Sequence, residues 1–143
     1  FPLFNTEGAK EVGGISFGLS PAASRKEHLE TYRLPLKALD AVVYTGFGYP
    51  GRDLMLVRSS DAVVIGCGRI GTIHEFTIAW EAGMPMGILV GEWQTDEVIK
   101  NIIDNSNRSN PNVIFESDPK VMIEKLIALV RKLDESGEPQ IRL

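Results

Sequence analysis

Five short apolar runs, each followed or preceded by a stretch with helical spacing, constrain this chain more than any other feature. They are "GISFGLS" (14–20), "DAVVYTGFG" (40–48), "DAVVIG" (61–66), "PMGILVG" (85–91) and "NVIFESD" (112–118). Each is nearly continuous in apolar character rather than alternating, the pattern of strands buried on both faces of a parallel sheet. Between them lie "YPGRDLMLVRSS", "GTIHEFTIAWEAG" and "TDEVIKNIIDNS", all compatible with crossover helices. Ile73, Phe76, Thr77 and Trp80 recur at helical spacing, so one face of the middle helix can pack on the sheet. Gly83 and Pro85 end that helix, Thr95 or Asp96 can cap the next, and Asp118 or Ser117 caps a last helix opened by Pro119. That last helix (119–135) is amphipathic through Met122, Leu126, Leu129 and Leu133. The alternation predicts one α/β domain over residues 1–143, a doubly wound, mainly parallel sheet with helices on both faces. The segment 20–37, where prolines bracket a charged stretch, reads as an exposed loop with a short helix, and the tail 136–143 has no pattern.

Composition removes several function classes. With 143 residues and a net charge of −4, the chain can bury a core and has no basic footprint for nucleic acid. One cysteine, Cys67, rules out an internal disulfide and fits a reducing, cytoplasmic setting. No apolar run reaches the roughly 18 residues of a membrane span, and no secretory signal pattern is present. His28 and His74 are too far apart to suggest a zinc pair, and no other spacing supports a metal.

The chemistry concentrates in "GCGRIG" (66–71), a G-x-G-x-x-G between an apolar run and a helix. At the carboxyl end of a parallel strand, such a turn presents backbone N–H groups and a positive helix end to a phosphate. An NAD site is one reading, with Glu92 as the acidic partner about twenty residues on. Three features weigh against it: His74 and Glu75 in the expected first helical turn, the repulsion between that carboxylate and a pyrophosphate, and the turn's place after the third run rather than the first. Thr72 and Glu75 can also be read as a capping box. Cys67 beside a helix start reads as a small strand-end residue rather than a nucleophile.

Over a wider window, "GRIGTIHE" followed by "AWEAGMPMGIL" resembles the G-G-x-G-T-x-x-E motif of the LOG family, Rossmann-like proteins often labelled "lysine decarboxylase". Upstream, "GRDLMLVRSSDAVVIG" resembles the family's arginine-led helix and the strand after it, and "GAKEVGGISFGLSP" an earlier helix and strand. The "TGFG" (45–48) and arginine pattern is similar to the branch that includes molybdenum-cofactor carrier proteins. The family's first strand and first glycine-rich turn have no counterpart in this chain. Arg69 stands where the motif has its second glycine, and Cys67 where a proline or glycine is usual.

The resemblance implies a Rossmann-like nucleotide-binding domain. Its lead reading is a phosphoribohydrolase that splits nucleoside 5′-monophosphates into base and ribose 5-phosphate, without cofactor or metal. The alternative is a non-catalytic carrier or sensor of a phosphorylated ligand. Gly46, Gly68, Arg69, Ile70, Gly71 and Thr72 would hold the phosphorylated ligand, and Glu75 and Arg52 would be catalytic. The carboxylate would stabilise positive charge at the ribose C1′ or activate water. Arg52 would bind phosphate or orient Glu75, against a plain reading as a solvated surface arginine. The Arg69 side chain either reaches the phosphate or fills the ribose pocket. The family also implies a homodimer or larger assembly, for which the Phe76/Trp80 helix has apolar residues to spare. The decarboxylase label needs a Schiff-base lysine for PLP; Lys10, Lys26, Lys37 and Lys100 all fall away from the glycine turn, so PLP is excluded.

Overall fold

The computed structural model describes residues 3–137, in the order α1 (Leu3–Glu11), β1 (Phe17–Ser20), α2 (Arg25–Glu30), β2 (Ala41–Tyr44), α3 (Gly48–Arg58), β3 (Val63–Ile65), α4 (Ile70–Glu81), β4 (Met86–Leu89), α5 (Thr95–Asp104), β5 (Val113–Glu116) and α6 (Pro119–Ser136). All five apolar runs hold a strand, each shorter than its run. Residues 138–143, most of the patternless tail, lie outside the described residues, as do Phe1 and Pro2. Every strand pairing is parallel, and a helix separates each strand from the next, the Rossmann-like α/β architecture expected from the alternation. β1 pairs with β2, and β3, β4 and β5 pair in that order. The chain divides into two compact units, one ending at Leu56 and the other beginning at Val57.

In the second unit β4 is the central strand, with Val63 opposite Met86 on one side and Met86 opposite Val113 on the other. Alternation along β4 sorts its side chains between two helical layers. Met86 and Ile88, 0 % and 1 % exposed, enter a core with Phe76, Ala79 and Trp80 of α4 and Ile99 of α5. Gly87 points the other way: a Cβ there would fall 3.0 Å from Met122 Cγ and 3.4 Å from Leu126 Cδ2 of α6. Helices therefore cover both faces of this sheet, and burying each large core side chain contributes about 1.5–3 kcal/mol. Asp118 caps α6 as its sequence suggests, its Oδ1 accepting from the N–H groups of Lys120 (2.8 Å) and Val121 (3.0 Å) ahead of Pro119 in the first turn.

Two expectations change here. Phe76 and Trp80 are 0 % and 7 % exposed inside this core, so an apolar residue that α4 has to spare is neither of these two, although Ile70 of the same helix is 82 % exposed. Neither Thr95 nor Asp96 caps α5. The cap position is Gln94, in the left-handed region at φ 64° with no side-chain cap bond, and Thr95 is already helical.

In the first unit the segment 20–37 does contain a short helix, α2, capped by Ser24. α2 is pinned from within, because buried His28 Nδ1 lies 2.8 Å from Ser20 Oγ at the end of β1 and its ring meets Tyr44 edge-on at 5.8 Å. One face of β1–β2 is closed, with Gly18 and Ser20 buried. The other is open: Phe17 is 66 % and Val43 49 % exposed, so continuous apolar character did not mean burial on both faces of these strands. α1 buries none of its residues and is held by ion pairs, Lys10 to Asp40 and Lys37 to Glu7, both at 2.7 Å. Among the described residues no helix is long and apolar enough to cross a membrane.

Candidate functional site

The turn after β3 is built around Gly68. A Cβ on Gly68 would overlap the Thr72 side chain, so Thr72 lies across the glycine and only glycine fits beneath it. From the other side the Thr95 hydroxyl meets the same residue. The Gly68 N–H donates to Thr95 Oγ1 at 3.1 Å, and the hydroxyl is 3.1 Å from Gly68 O, where it can donate in turn. The start of α5 thus braces the turn, which is the use the protein makes of the residue that sequence suggested as a cap. Arg69 takes the N-cap position of α4, in extended conformation (φ −117°, ψ −157°), with no side-chain cap bond.

α4 consequently begins at Ile70, earlier than the capping-box reading requires. Its first turn is Ile70, Gly71, Thr72 and Ile73 and carries no acidic residue. Thr72 is inside the helix, its N–H donating to Arg69 O at 2.9 Å, so Thr72 and Glu75 do not form a capping box. The same shift removes the expected carboxylate and histidine from the first turn; Glu75 sits in the second. Among the described residues, none accepts a hydrogen bond from the N–H groups of Arg69, Ile70 or Gly71. These residues are exposed, as are Cys67 and Gly68. A Cβ at Gly71 would meet nothing within 4 Å, so packing does not demand glycine there. Exposed, unpartnered N–H groups at a helix N-terminus are a natural anion seat.

Gly46 and Arg52 belong to the first unit; the turn and Glu75 belong to the second. Gly46 adopts φ 70° and its N–H donates to Ala22 O at 2.9 Å, so its backbone donor already has an acceptor. Arg52 is not a solvated surface arginine. Its side chain is 15 % exposed, with Nη1 3.2 Å from Asp53 Oδ1 and the guanidinium carbon 5.9 Å from the centre of the Tyr49 ring. Asp53, missed in the sequence, is itself 4 % exposed; a carboxylate directly after the arginine was the only signal for it.

The loop from β4 to α5 was also missed. Gly91 lies under the indole of Trp93: a Cβ on Gly91 would be 2.5 Å from Trp93 Cη2. Trp93 stays 38 % exposed, whereas Asp96 is 3 % exposed. A glycine two residues before a tryptophan at the end of an apolar run was the available clue. Glu92, the acidic partner of the NAD reading, is exposed in the same loop. Among the described residues no group of three His, Cys, Asp or Glu side chains could hold a metal ion.

With this geometry in hand, the chain can be set beside known proteins. The model of the SLOG cluster4 family matches residues 3–123. The solved molybdenum cofactor binding protein from the phototrophic bacterium Rippkaea orientalis is 26 % identical, with a TM-score of 0.69 over 90 % of this chain and 70 % of that one. The X-ray structure of TM1055, a structural-genomics target, is 24 % identical, with a TM-score of 0.69 over 91 % of this chain and 71 % of that one; it speaks to the fold alone. No curated protein matches the chain.

Proposed function

The chain belongs to the SLOG cluster4 family, in the LOG-like superfamily, and on that premise we propose that it binds a small phosphorylated ligand with the phosphate on the N–H groups of Arg69, Ile70 and Gly71. The observation that carries this reading is the unpartnered, exposed start of α4, combined with a glycine at 71 that packing does not require. A side chain at 71 would crowd an anion approaching those donors, which gives Gly71 a reason that the fold alone does not supply. Arg69 adds a cation at the same turn, suited to phosphate as a charge-assisted donor.

Of the two fates for such a ligand, carriage is the reading we adopt. It draws support from the likeness to the Rippkaea orientalis molybdenum cofactor binding protein and from the arginine in place of the motif's second glycine. Hydrolysis of a nucleoside monophosphate remains as a second reading because of Glu75. That carboxylate lies in the second turn of α4, half-buried, and the capping role that would have explained it is not formed. One experiment separates them. Incubation with a panel of nucleoside 5′-monophosphates, followed for bound ligand and for free base, gives binding without base under carriage and base release under hydrolysis. Failure of ribose 5-phosphate and of every monophosphate to bind would remove both.

A further inference from the structure

The two flanks of α6 differ in what they meet. Met122 and Leu126 face the sheet over Gly87 of β4, 2 % and 4 % exposed. Lys125, the residue before Leu126, turns toward β5, where its Nζ lies 2.6 Å from Glu116 Oε2. The residues just after Met122 and Leu126 therefore turn the other way, about 100° round the helix and toward the β3 side. These are Ile123 and Ile127, 38 % and 45 % exposed. Val64 of β3 shares the face of its register partner Gly87 and is 46 % exposed, so the strip of sheet beside this flank is open as well.

This flank has a pattern of its own. Lys120, Ile123, Ile127, Val130 and Asp134 recur at alternating steps of three and four, the spacing of a helix–helix seam. Val130 is half-buried, and the two charges that end the stripe are exposed. Among the described residues neither Lys120 nor Asp134 makes an ion pair. Each stands seven residues from Ile127, one on either side. A second α6 crossing antiparallel at Ile127 would set Lys120 against the partner's Asp134 at both ends of the seam. Ile127 would then meet the partner's Ile127, and Ile123 the partner's Val130. A parallel pair would instead place lysine on lysine and aspartate on aspartate. The stripe is thus complementary to itself in one direction only.

We propose that the Lys120–Asp134 flank of α6 is the seam of a twofold dimer of this chain, two α6 helices lying antiparallel with Ile127 at the crossing. Apolar contact at the centre supplies the attraction, and the charges at the ends fix register and direction. Assembly, expected of α4 from the sequence, is thereby carried by a different helix. A five-residue seam is smaller than the roughly 20–30 residues a side of a standard interface, so association should be reversible and follow protein concentration.

The test is sedimentation equilibrium of the full chain from about 10 to about 500 µM, over which the mean mass should rise from one copy toward two. Ile127→Asp should hold the mass at one copy throughout with an unchanged melting temperature, because this side chain lies outside the core. Lys120→Asp alone and Asp134→Lys alone should each weaken association about tenfold or more, since a twofold seam carries every change twice. The two singly reversed chains, mixed in equal amounts, should associate with each other nearly as tightly as the parent does with itself. The chain carrying both reversals should do the same. Both changes suit the helix dipole, with an acid in the first turn and a base near the last, so unfolding does not imitate the effect. A mass of one copy at every concentration would overturn the proposal. So would association that survives Ile127→Asp, or a mixture of the reversed chains no tighter than either alone.

Discussion

The Thr95 hydroxyl sits 3.1 Å from both the N–H nitrogen and the carbonyl oxygen of Gly68, so one side chain at the start of α5 holds both polar groups of the residue on which the phosphate turn pivots. Thr95 is 4 % exposed, and water cannot readily replace it. Thr95→Val keeps the shape and removes the hydroxyl. It should cost about 1–3 kcal/mol in urea denaturation, the range for leaving buried polar groups without partners. It should also weaken binding of ribose 5-phosphate, because the turn loses its brace. Thr95→Ser should recover most of both. A valine variant as stable and as tight-binding as the parent would show that the contact contributes nothing.

The glycines at 68 and 71 should respond in opposite senses. A methyl on Gly68 would overlap the Thr72 side chain, so Gly68→Ala forces that contact apart and should destabilise by about 1–3 kcal/mol. Gly71 lies inside α4 with open space at its Cβ position. Gly71→Ala should therefore leave stability unchanged or raise it by up to about 1 kcal/mol through lower chain entropy in the unfolded state. Affinity for ribose 5-phosphate should nevertheless fall about tenfold, the equivalent of losing one charge-assisted hydrogen bond. Thermal melts and titrations on the two variants are sufficient, and full affinity in Gly71→Ala would remove the phosphate from this turn.

Acid should loosen the contacts around α1 and β5. The Lys10 ammonium, with help from the Ser16 N–H, holds the Asp40 carboxyl below its ordinary value of 3.8. Lys125, then the N–H groups of Asp118 and Ser117, hold Glu116 below 4.5. For carboxyls with lowered folded-state values, the stabilisation is fully present above the unfolded values and is lost as pH falls through the folded ones. Both groups are at the surface, so the effect is small and weakens in salt. The urea midpoint should drop between pH 6 and pH 3, and Asp40→Asn should drop less over that interval. An equal drop in the variant would assign the acid sensitivity elsewhere.

Local signals proved readable in this chain and long-range ones did not. Asp118 before Pro119 is an N-cap whatever surrounds it, and the 3.6-residue spacing of Ile73, Phe76 and Trp80 found the buried face of α4. The start of α4 was misplaced because Thr72 and Glu75 satisfy the capping-box pattern, while the real cap, Arg69, has no capping side chain to recognise. Thr95 looked like a cap for the same reason; its true partner, Gly68, is 27 residues away in sequence. The Ser20–His28 contact was equally hidden, since a lone histidine in a charged segment gives no sign of being buried. Open faces on β1 and β2 show the limit of hydropathy: Phe17 and Val43 are as apolar as the core yet exposed. In the candidate site, the glycine turn was legible from spacing, but the Thr95 brace on Gly68 required the fold that brings α5 to the turn.

The fate of the bound ligand turns on Glu75. Under carriage, the unaltered chain should bind a monophosphate and release no free base over hours, and Glu75→Gln should change neither observation beyond a small shift in affinity. Under hydrolysis, positive charge develops at the ribose C1′ as the N-glycosidic bond lengthens, and only an ionised carboxylate stabilises it or takes a proton from water. Glu75→Gln would then cut base release by roughly 10²–10⁴-fold, the usual contribution of a positioned acid or base, while affinity stayed within about twofold. Glutamine is nearly isosteric and α4 is capped at Arg69, so no loss of a helix cap can imitate this result. Chromatography of the free base and a parallel binding titration read both quantities on the same sample. Base release by the unaltered chain, abolished in Glu75→Gln, would replace the carrier reading with a hydrolase.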